Sequence, residues 1–301
     1  MIIGIDAGYG YVKTKNTSFS AGVAHLSNRP PILKRVVEYE GNWYQVGAAN
    51  DGIIDDKTSN IDYYILTLAG IAEEMKLVGT TDAEVVLAVG VPLMRYGAEK
   101  EPLVKYLSQN EQVDFSYEGV SYNIRIFPQV YVFPQGYAAL VNRMDSINGP
   151  CYLVDMGTGT TEIMFISADK IADLSKTKTL QFGINNCIAS INSRISNDYN
   201  IDIPEDSIIE LLKGNKDKTG LPKQVIEVCE EVIREFAIDT MKLLKQNKVS
   251  YEMIQTFFIG GGAGIIEKYG NLTEHQITFI KDIRVNAVGY EALAKAQDSR
   301  Y

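Results

Sequence analysis

Two segments of the chain combine a carboxylate with glycines in a spacing suited to phosphate chemistry. The first is Ile3-Gly4-Ile5-Asp6-Ala7-Gly8-Tyr9-Gly10-Tyr11-Val12-Lys13, and the second is Tyr152-Leu153-Val154-Asp155-Met156-Gly157-Thr158-Gly159-Thr160-Thr161-Glu162-Ile163. Each is an apolar strand that ends in Asp, continues as x-Gly-x-Gly and returns to strand-forming residues. Glycine tolerates positive φ and close backbone approach. The N–H groups around Gly8, Tyr9 and Gly10, and around Gly157, Thr158, Gly159 and Thr160, can therefore point at phosphate oxygens. Asp6 and Asp155 stand where a hydrated Mg²⁺ could be held, because that ion keeps several waters and needs only one or two carboxylates. Lys13 can add a positive charge to a β- or γ-phosphate. Either turn alone is equally a hairpin whose Asp caps nearby backbone N–H groups. Recurrence at about half the chain length points instead to two homologous domains, each opening on a Gly-rich hairpin.

A third glycine element is Thr256-Phe257-Phe258-Ile259-Gly260-Gly261-Gly262-Ala263-Gly264-Ile265-Ile266. Bare backbone at Gly260, Gly261, Gly262 and Ala263 would let a flat ligand lie against the chain. A helix beginning there would favour an anion. The other reading is a simple flexible turn, and the apolar residues on both sides argue against it.

These turns need a layered scaffold, and the periodicity supplies one. Strand-like runs at 2–6, 36–39, 43–46, 84–91, 122–126, 129–133, 152–155, 162–167 and 256–259 alternate with helical patterns at 61–75, 99–107, 136–144, 185–199, 204–213, 225–245 and 287–296. Such alternation indicates an α/β fold. The clearest helix is 225–245, where Val225, Cys229, Val232, Phe236, Thr240 and Leu244 share one face while Glu227, Glu230, Glu231 and Glu235 share the other. The polar, Gly-bearing stretch 213–220 ahead of it reads as an exposed loop.

Composition narrows the function. The 301 residues carry a net charge of −9 with no basic stripe, which argues against direct binding to nucleic acid. No run approaches the roughly 20 apolar residues of a membrane span. The chain opens directly on a strand pattern, so we expect no signal peptide, no membrane association and a cytoplasmic location. Cys151, Cys187 and Cys229 are scattered and odd in number, which fits buried free thiols. His25 and His275 are too isolated to suggest a metal site.

The three glycine elements, in this order, resemble those of the actin, sugar-kinase and heat-shock-chaperone ATPase superfamily, and the likeness spans nearly the whole chain. Residues 6–13 match its first phosphate loop, 155–161 its second and 260–264 its adenosine loop. Within the superfamily the chain looks most like the ParM-like, plasmid-segregating bacterial actins. Glu84-Val85-Val86-Leu87-Ala88-Val89-Gly90-Val91-Pro92-Leu93 matches that family's strand and Pro-Leu turn. Val130-Tyr131-Val132-Phe133-Pro134-Gln135 matches its strand ending in Pro and an acid or amide. Phe182-Gly183-Ile184 leads the helix after the second hairpins, and Val285-Asn286-Ala287-Val288-Gly289-Tyr290 resembles the start of the last helix.

The resemblance implies an actin-like ATPase fold: two related α/β domains with a nucleotide cleft between them, each bearing a smaller inserted subdomain. The first domain would cover 1–150, with an outer subdomain at about 28–75 and the C-terminal helix 287–301 packing back onto it. The second would cover 151–286, with a helical insertion at about 185–250. ATP or GTP with Mg²⁺ is the implied ligand. Asp155 would hold a metal-bound water, and Asp6 would share the metal shell. Gln135 would orient the attacking water, with Gln129 as the other candidate. The best-known family member has a glutamate there and actin a glutamine; an amide is a poor base, which implies slow turnover. Gly183 and Asn186 would lie near the ribose, although Asn186 also suits a helix cap. The implied activity is hydrolysis coupled to head-to-tail filament assembly for plasmid DNA segregation, with a basic, centromere-bound adaptor as partner. A small-molecule kinase using Asp62 or Glu99 as base, or a non-filament nucleotide switch, are the competing readings.

Overall fold

The computed structural model describes residues 1–48, 57–272 and 276–298. Parts of two expectations, the outer subdomain at 28–75 and the last helix at 287–301, fall on 49–56 and 299–301, and His275 falls on 273–275; all of these lie outside the described residues. Contacts divide the chain into two units, Met1–Asn148 with Asp282–Tyr301, and Gly149–Lys281.

In chain order the elements begin with β1 (Ile2–Ala7), β2 (Tyr11–Lys13), β3 (Ser18–Ser20), β4 (Gly22–Leu26), β5 (Val36–Tyr39) and β6 (Asn42–Ala48). Helix α1 (Asp62–Val78), β7 (Asp82–Val91), α2 (Tyr96–Leu107), β8 (Gln112–Tyr117), β9 (Val120–Ile126) and β10 (Tyr131–Pro134) follow. The second unit holds β11 (Cys151–Met156), β12 (Thr161–Ile166), β13 (Ala172–Leu180), α3 (Ile184–Tyr199), α4 (Glu205–Leu212), α5 (Lys223–Gln246), β14 (Gln255–Ile259), α6 (Ala263–Tyr269) and β15 (Ile277–Phe279). Helix α7 (Val285–Gln297) closes the first unit.

The first unit is built on a sheet ordered β3-β2-β1-β7-β9-β8-β5-β6-β4. Strand β7 is long enough to serve two neighbours on one edge. Its first half pairs with β9 and its second half with β10, both in parallel. Its other edge pairs in parallel with β1, in a register that sets Ile5 against Val89. Burial along β1 and along β7 from Val85 to Val91 explains why both are rich in Ile, Val and Leu, since a parallel strand covered on both faces has no polar side to present. Helix α1 packs beneath with Tyr64, Ile65, Leu68, Ile71 and Met75 fully buried. It stops at Gly79, whose φ of 71 allows the left-handed turn that takes the chain out of the helix.

The second unit repeats the central plan. Its sheet runs β13-β12-β11-β14-β15, with β11–β12–β13 antiparallel and β11, β14 and β15 parallel. The corresponding strands of the first unit, β3-β2-β1-β7-β10, have the same order and directions. The sequence echo therefore reflects two equivalent βββ hairpin-and-crossover cores. All six residues assigned to the inner face of α5 are buried, beside Ile233, Ala237 and Met241. Each such Ile, Val or Leu removed from water contributes about 1.5–3 kcal/mol.

One local expectation fails. Residues 136–144 do not form an α-helix but a 3₁₀ run, Tyr137–Ser146, a tighter winding that shares the same buried side chains Ala138, Ala139 and Leu140.

Candidate nucleotide site

The first turn is positioned by hairpin register. Asp6 and Lys13 are directly opposed between β1 and β2, which brings Lys13 Nζ to 3.1 Å from Asp6 Oδ2. Asp6 is only 2% exposed, so its charge is held in a desolvated place where losing the partner would cost several kcal/mol. Gly8 N–H closes the turn onto the Tyr11 carbonyl, and Gly10 carbonyl accepts from Ala21 N–H. Gly8, Tyr9 and Gly10 remain half-buried.

Gln135 arrives from a different part of the chain. Because β10 runs parallel to β7, as β1 does, the strands end together; Gln135 N–H still bonds the Val91 carbonyl. Its Nε2 lies 3.4 Å from Asp6 Oδ1. Asp6, Lys13 and Gln135 thus meet at the carboxyl ends of parallel strands, where α/β sheets take their ligands. Gln129 precedes β10 at the far end, is exposed and donates to Tyr131 Oη.

The connection after β2 is fixed by Glu74 of α1, a buried carboxylate with no local sequence signal. It accepts hydrogen bonds from Thr14 Oγ1, Asn16 N–H and Asn16 Nδ2.

The second turn differs in charge. Asp155 is opposed across the hairpin by Glu162, where the first turn has Lys13. Gly157 N–H bonds the Thr160 carbonyl, and the turn docks on the start of α3 through Ile184 N–H to Gly157 and Asn185 N–H to Thr158. Gly183 permits this docking: a Cβ there would stand 2.7 Å from the Thr158 carbonyl oxygen. Asn186 caps its helix, accepting from Gly183 N–H on Oδ1 at 2.9 Å.

The glycine cluster after β14 has a packing reason that the sequence did not reveal. Gly260 has φ 84, and a Cβ there would meet the Met156 carbonyl at 2.5 Å and Asp155 Oδ1 at 2.6 Å. A Cβ on Gly262 would overlap Met156 Sδ at 2.1 Å. Both glycines let the backbone press against the end of β11. Gly261 is exposed and meets only the flexible tip of Ile184 at 3.0 Å. Ala263 is buried and begins α6.

Among the described residues no three His, Cys, Asp or Glu side chains form a metal cage. Asp6 and Asp155 are carboxylates, the ligand type that a hydrated Mg²⁺ takes. The carboxylates suggested for a kinase base are otherwise engaged: Asp62 with His25 Nε2 at 2.7 Å, and Glu99 with Arg95. A hollow of about 520 Å³ lined by Glu38, Glu40, Asp82 and Asp114 lies at the opposite end of β7 from Asp6. No helix among the described residues is long and apolar enough to cross a membrane.

Comparison with known proteins bears on the fold. Residues 4–137 match the family model for the actin-like proteins' N-terminal domain. The archaeal actin homologue Ta0583 in complex with ADP superposes with a TM-score of 0.79 at 21% identity, covering 98% of this chain and 99% of that one. A 15-stranded ParM filament from Clostridium botulinum gives 0.76 at 18% identity, covering 98% and 99%. Bacillus thuringiensis ParM with AMPPNP gives 0.74 at 13% identity, covering 98% of both chains. No curated protein matches in sequence. The fold over the whole chain is that of actin and its bacterial and archaeal homologues.

Proposed function

We propose, from the premise that this chain is an actin-like protein with the ParM fold, that it binds and slowly hydrolyses a nucleoside triphosphate, ATP or GTP, and assembles head to tail into filaments that move plasmid DNA. The observation that carries this reading is the convergence of Asp6, Lys13 and Gln135 at the ends of β1, β2 and β10.

In this reading the turns Gly8-Tyr9-Gly10 and Gly157-Thr158-Gly159-Thr160 take phosphate oxygens through N–H groups other than those of Gly8 and Gly157, which close the turns onto the Tyr11 and Thr160 carbonyls. Lys13 moves part of its charge from Asp6 to the β- or γ-phosphate. The amide of Gln135 orients the attacking water without acting as a strong base. Asp6 and Asp155 are the carboxylates that would hold Mg²⁺, which when bound neutralises phosphate charge. Asn186 and Gly261, both exposed, line the nucleoside side, and Gly183, Gly260, Gly262 and Ala263 shape the backbone beneath them. Catalysis by positioning and charge neutralisation fits phosphoryl transfer. Even one turnover per minute corresponds to a barrier of about 20 kcal/mol, so this sparse set of groups is sufficient.

Adenine nucleotides in the archaeal and Bacillus thuringiensis homologues support the ligand, and the Clostridium botulinum filament supports self-assembly. A heterologous head-to-tail contact repeats without closing, which yields a filament rather than a ring. With a net charge of −9, contact with DNA would pass through a basic adaptor bound at the plasmid centromere.

Calorimetric titration with ATP and GTP, with and without Mg²⁺, tests the ligand. Saturable, Mg²⁺-strengthened binding of either triphosphate is expected; absence of heat for both, with the protein folded, would remove the proposal.

A further inference from the structure

Gly136 follows Gln135 directly and has φ 78. Its N–H lies past the end of β10, and the side chain of Asn286 receives it: Gly136 N–H donates to Asn286 Oδ1 at 3.0 Å, between residues 150 apart in sequence. Asn286 lies on the first turn of α7 and is 4% exposed. The next residue, Ala287, touches β1. Its carbonyl oxygen stands where a Cβ on Gly4 would be only 2.0 Å away. Gly4 is two residues before Asp6. One turn further along α7, Gly289 lies against the Ala138 carbonyl, again too close for any side chain.

Consecutive residues of α7 therefore grip the backbone that carries Gln135 and the backbone that carries Asp6. Both contacts are short and made by main-chain atoms or a buried amide, so neither can slide without breaking packing. We propose that Asn286 is a positioning residue for hydrolysis: it fixes the Gln135 amide relative to Asp6, and thereby the water that Gln135 orients. This rests on the proposed hydrolytic function. Displacing a water-orienting group by about 1 Å costs on the order of a hundredfold in rate, and the loss falls on kcat because the water matters only in the transition state.

The test compares Asn286→Ala and Asn286→Asp, alone and combined with Gln135→Ala, by phosphate release and nucleotide titration. Asn286→Ala should lower kcat about ten- to a hundredfold with KM within about threefold of the unmodified protein. Asn286→Asp keeps the acceptor oxygen and should retain most of the rate. In the Gln135→Ala background, Asn286→Ala should cost little more, since the group it positions is gone. Amide exchange at Gly136 should quicken in Asn286→Ala and not in Asn286→Asp. Equal losses in both backgrounds, or an unchanged kcat in Asn286→Ala, would overturn the role of Asn286 while leaving hydrolysis intact. No phosphate release by the unmodified protein would overturn the proposed hydrolysis and this role together.

Discussion

Gln135 reaches across from the end of β10 to place Nε2 3.4 Å from Oδ1 of Asp6, while Lys13 holds the other carboxylate oxygen at 3.1 Å. Residues 129 apart meet because β7 accepts β1 on one edge and β10 on the other, both in parallel. The amide is thereby set beside the carboxylate before any ligand arrives, and such preorganisation spares reorganisation at the moment of reaction.

Replacing Gln135 by Ala removes the amide that we propose orients the attacking water, without touching the turn backbone. Phosphate release should slow about ten- to a hundredfold, while nucleotide affinity changes little. Parallel losses in rate and affinity, measured by release assay and titration, would mean that Gln135 supports the pocket rather than the chemistry.

Asp155 is opposed by Glu162 rather than by a lysine, so the second turn is the more acidic of the two and the better suited to a hydrated cation. Asp155→Ala should abolish phosphate release yet leave the circular dichroism spectrum unchanged. Turnover near the unmodified rate would remove Asp155 from the mechanism.

The three glycines after β14 separate packing from ligand contact. Gly260→Ala and Gly262→Ala force a side chain into Met156 and, at Gly260, into positive φ, so each should destabilise the fold by about 1–3 kcal/mol. Gly261→Val meets only the tip of Ile184 and should fold, yet fail to bind nucleotide. Unaltered binding by Gly261→Val in a titration would show that the cluster serves packing alone.

The three cysteines supply a pH signature. Burial pushes the thiols of Cys151 and Cys229 from the ordinary 9.0 up to about 11, and burial together with the neighbouring Cys229 pushes Cys187 up to about 12. All three should resist alkylation at pH 8 until the protein unfolds. The folded state holds these protons more tightly than the unfolded one. Their contribution to stability is therefore full below pH 9.0 and is lost as pH rises through the folded values near 11 and 12. Rapid labelling of the folded protein at pH 8 would contradict the burial.

The two Gly-bearing hairpins and the buried face of α5 are readable because each is specified by neighbours in the chain, through strand alternation or helical spacing. What was not readable depends on distant partners. Lys13 suggested a phosphate ligand, and only the hairpin register brings it onto Asp6. Glu74 and Asn286 bond to Asn16 and Gly136 across 58 and 150 residues, and nothing local marks either side chain. The Gly-Gly-Gly run suggested room for a ligand, whereas the close approach of Met156 accounts for two of its members. The Asp155–Glu162 opposition could have been found by aligning the two hairpins residue by residue, which sets Glu162 against Lys13.

The most direct test of the account is right-angle light scattering with pelleting across a range of protein concentrations, in Mg²⁺ with ATP, GTP, ADP or no nucleotide. The account predicts a concentration threshold above which triphosphate alone drives assembly, followed by decay as phosphate is released. Measurable triphosphate binding without assembly at any concentration would contradict the filament and turn attention to a kinase or a switch of the same fold.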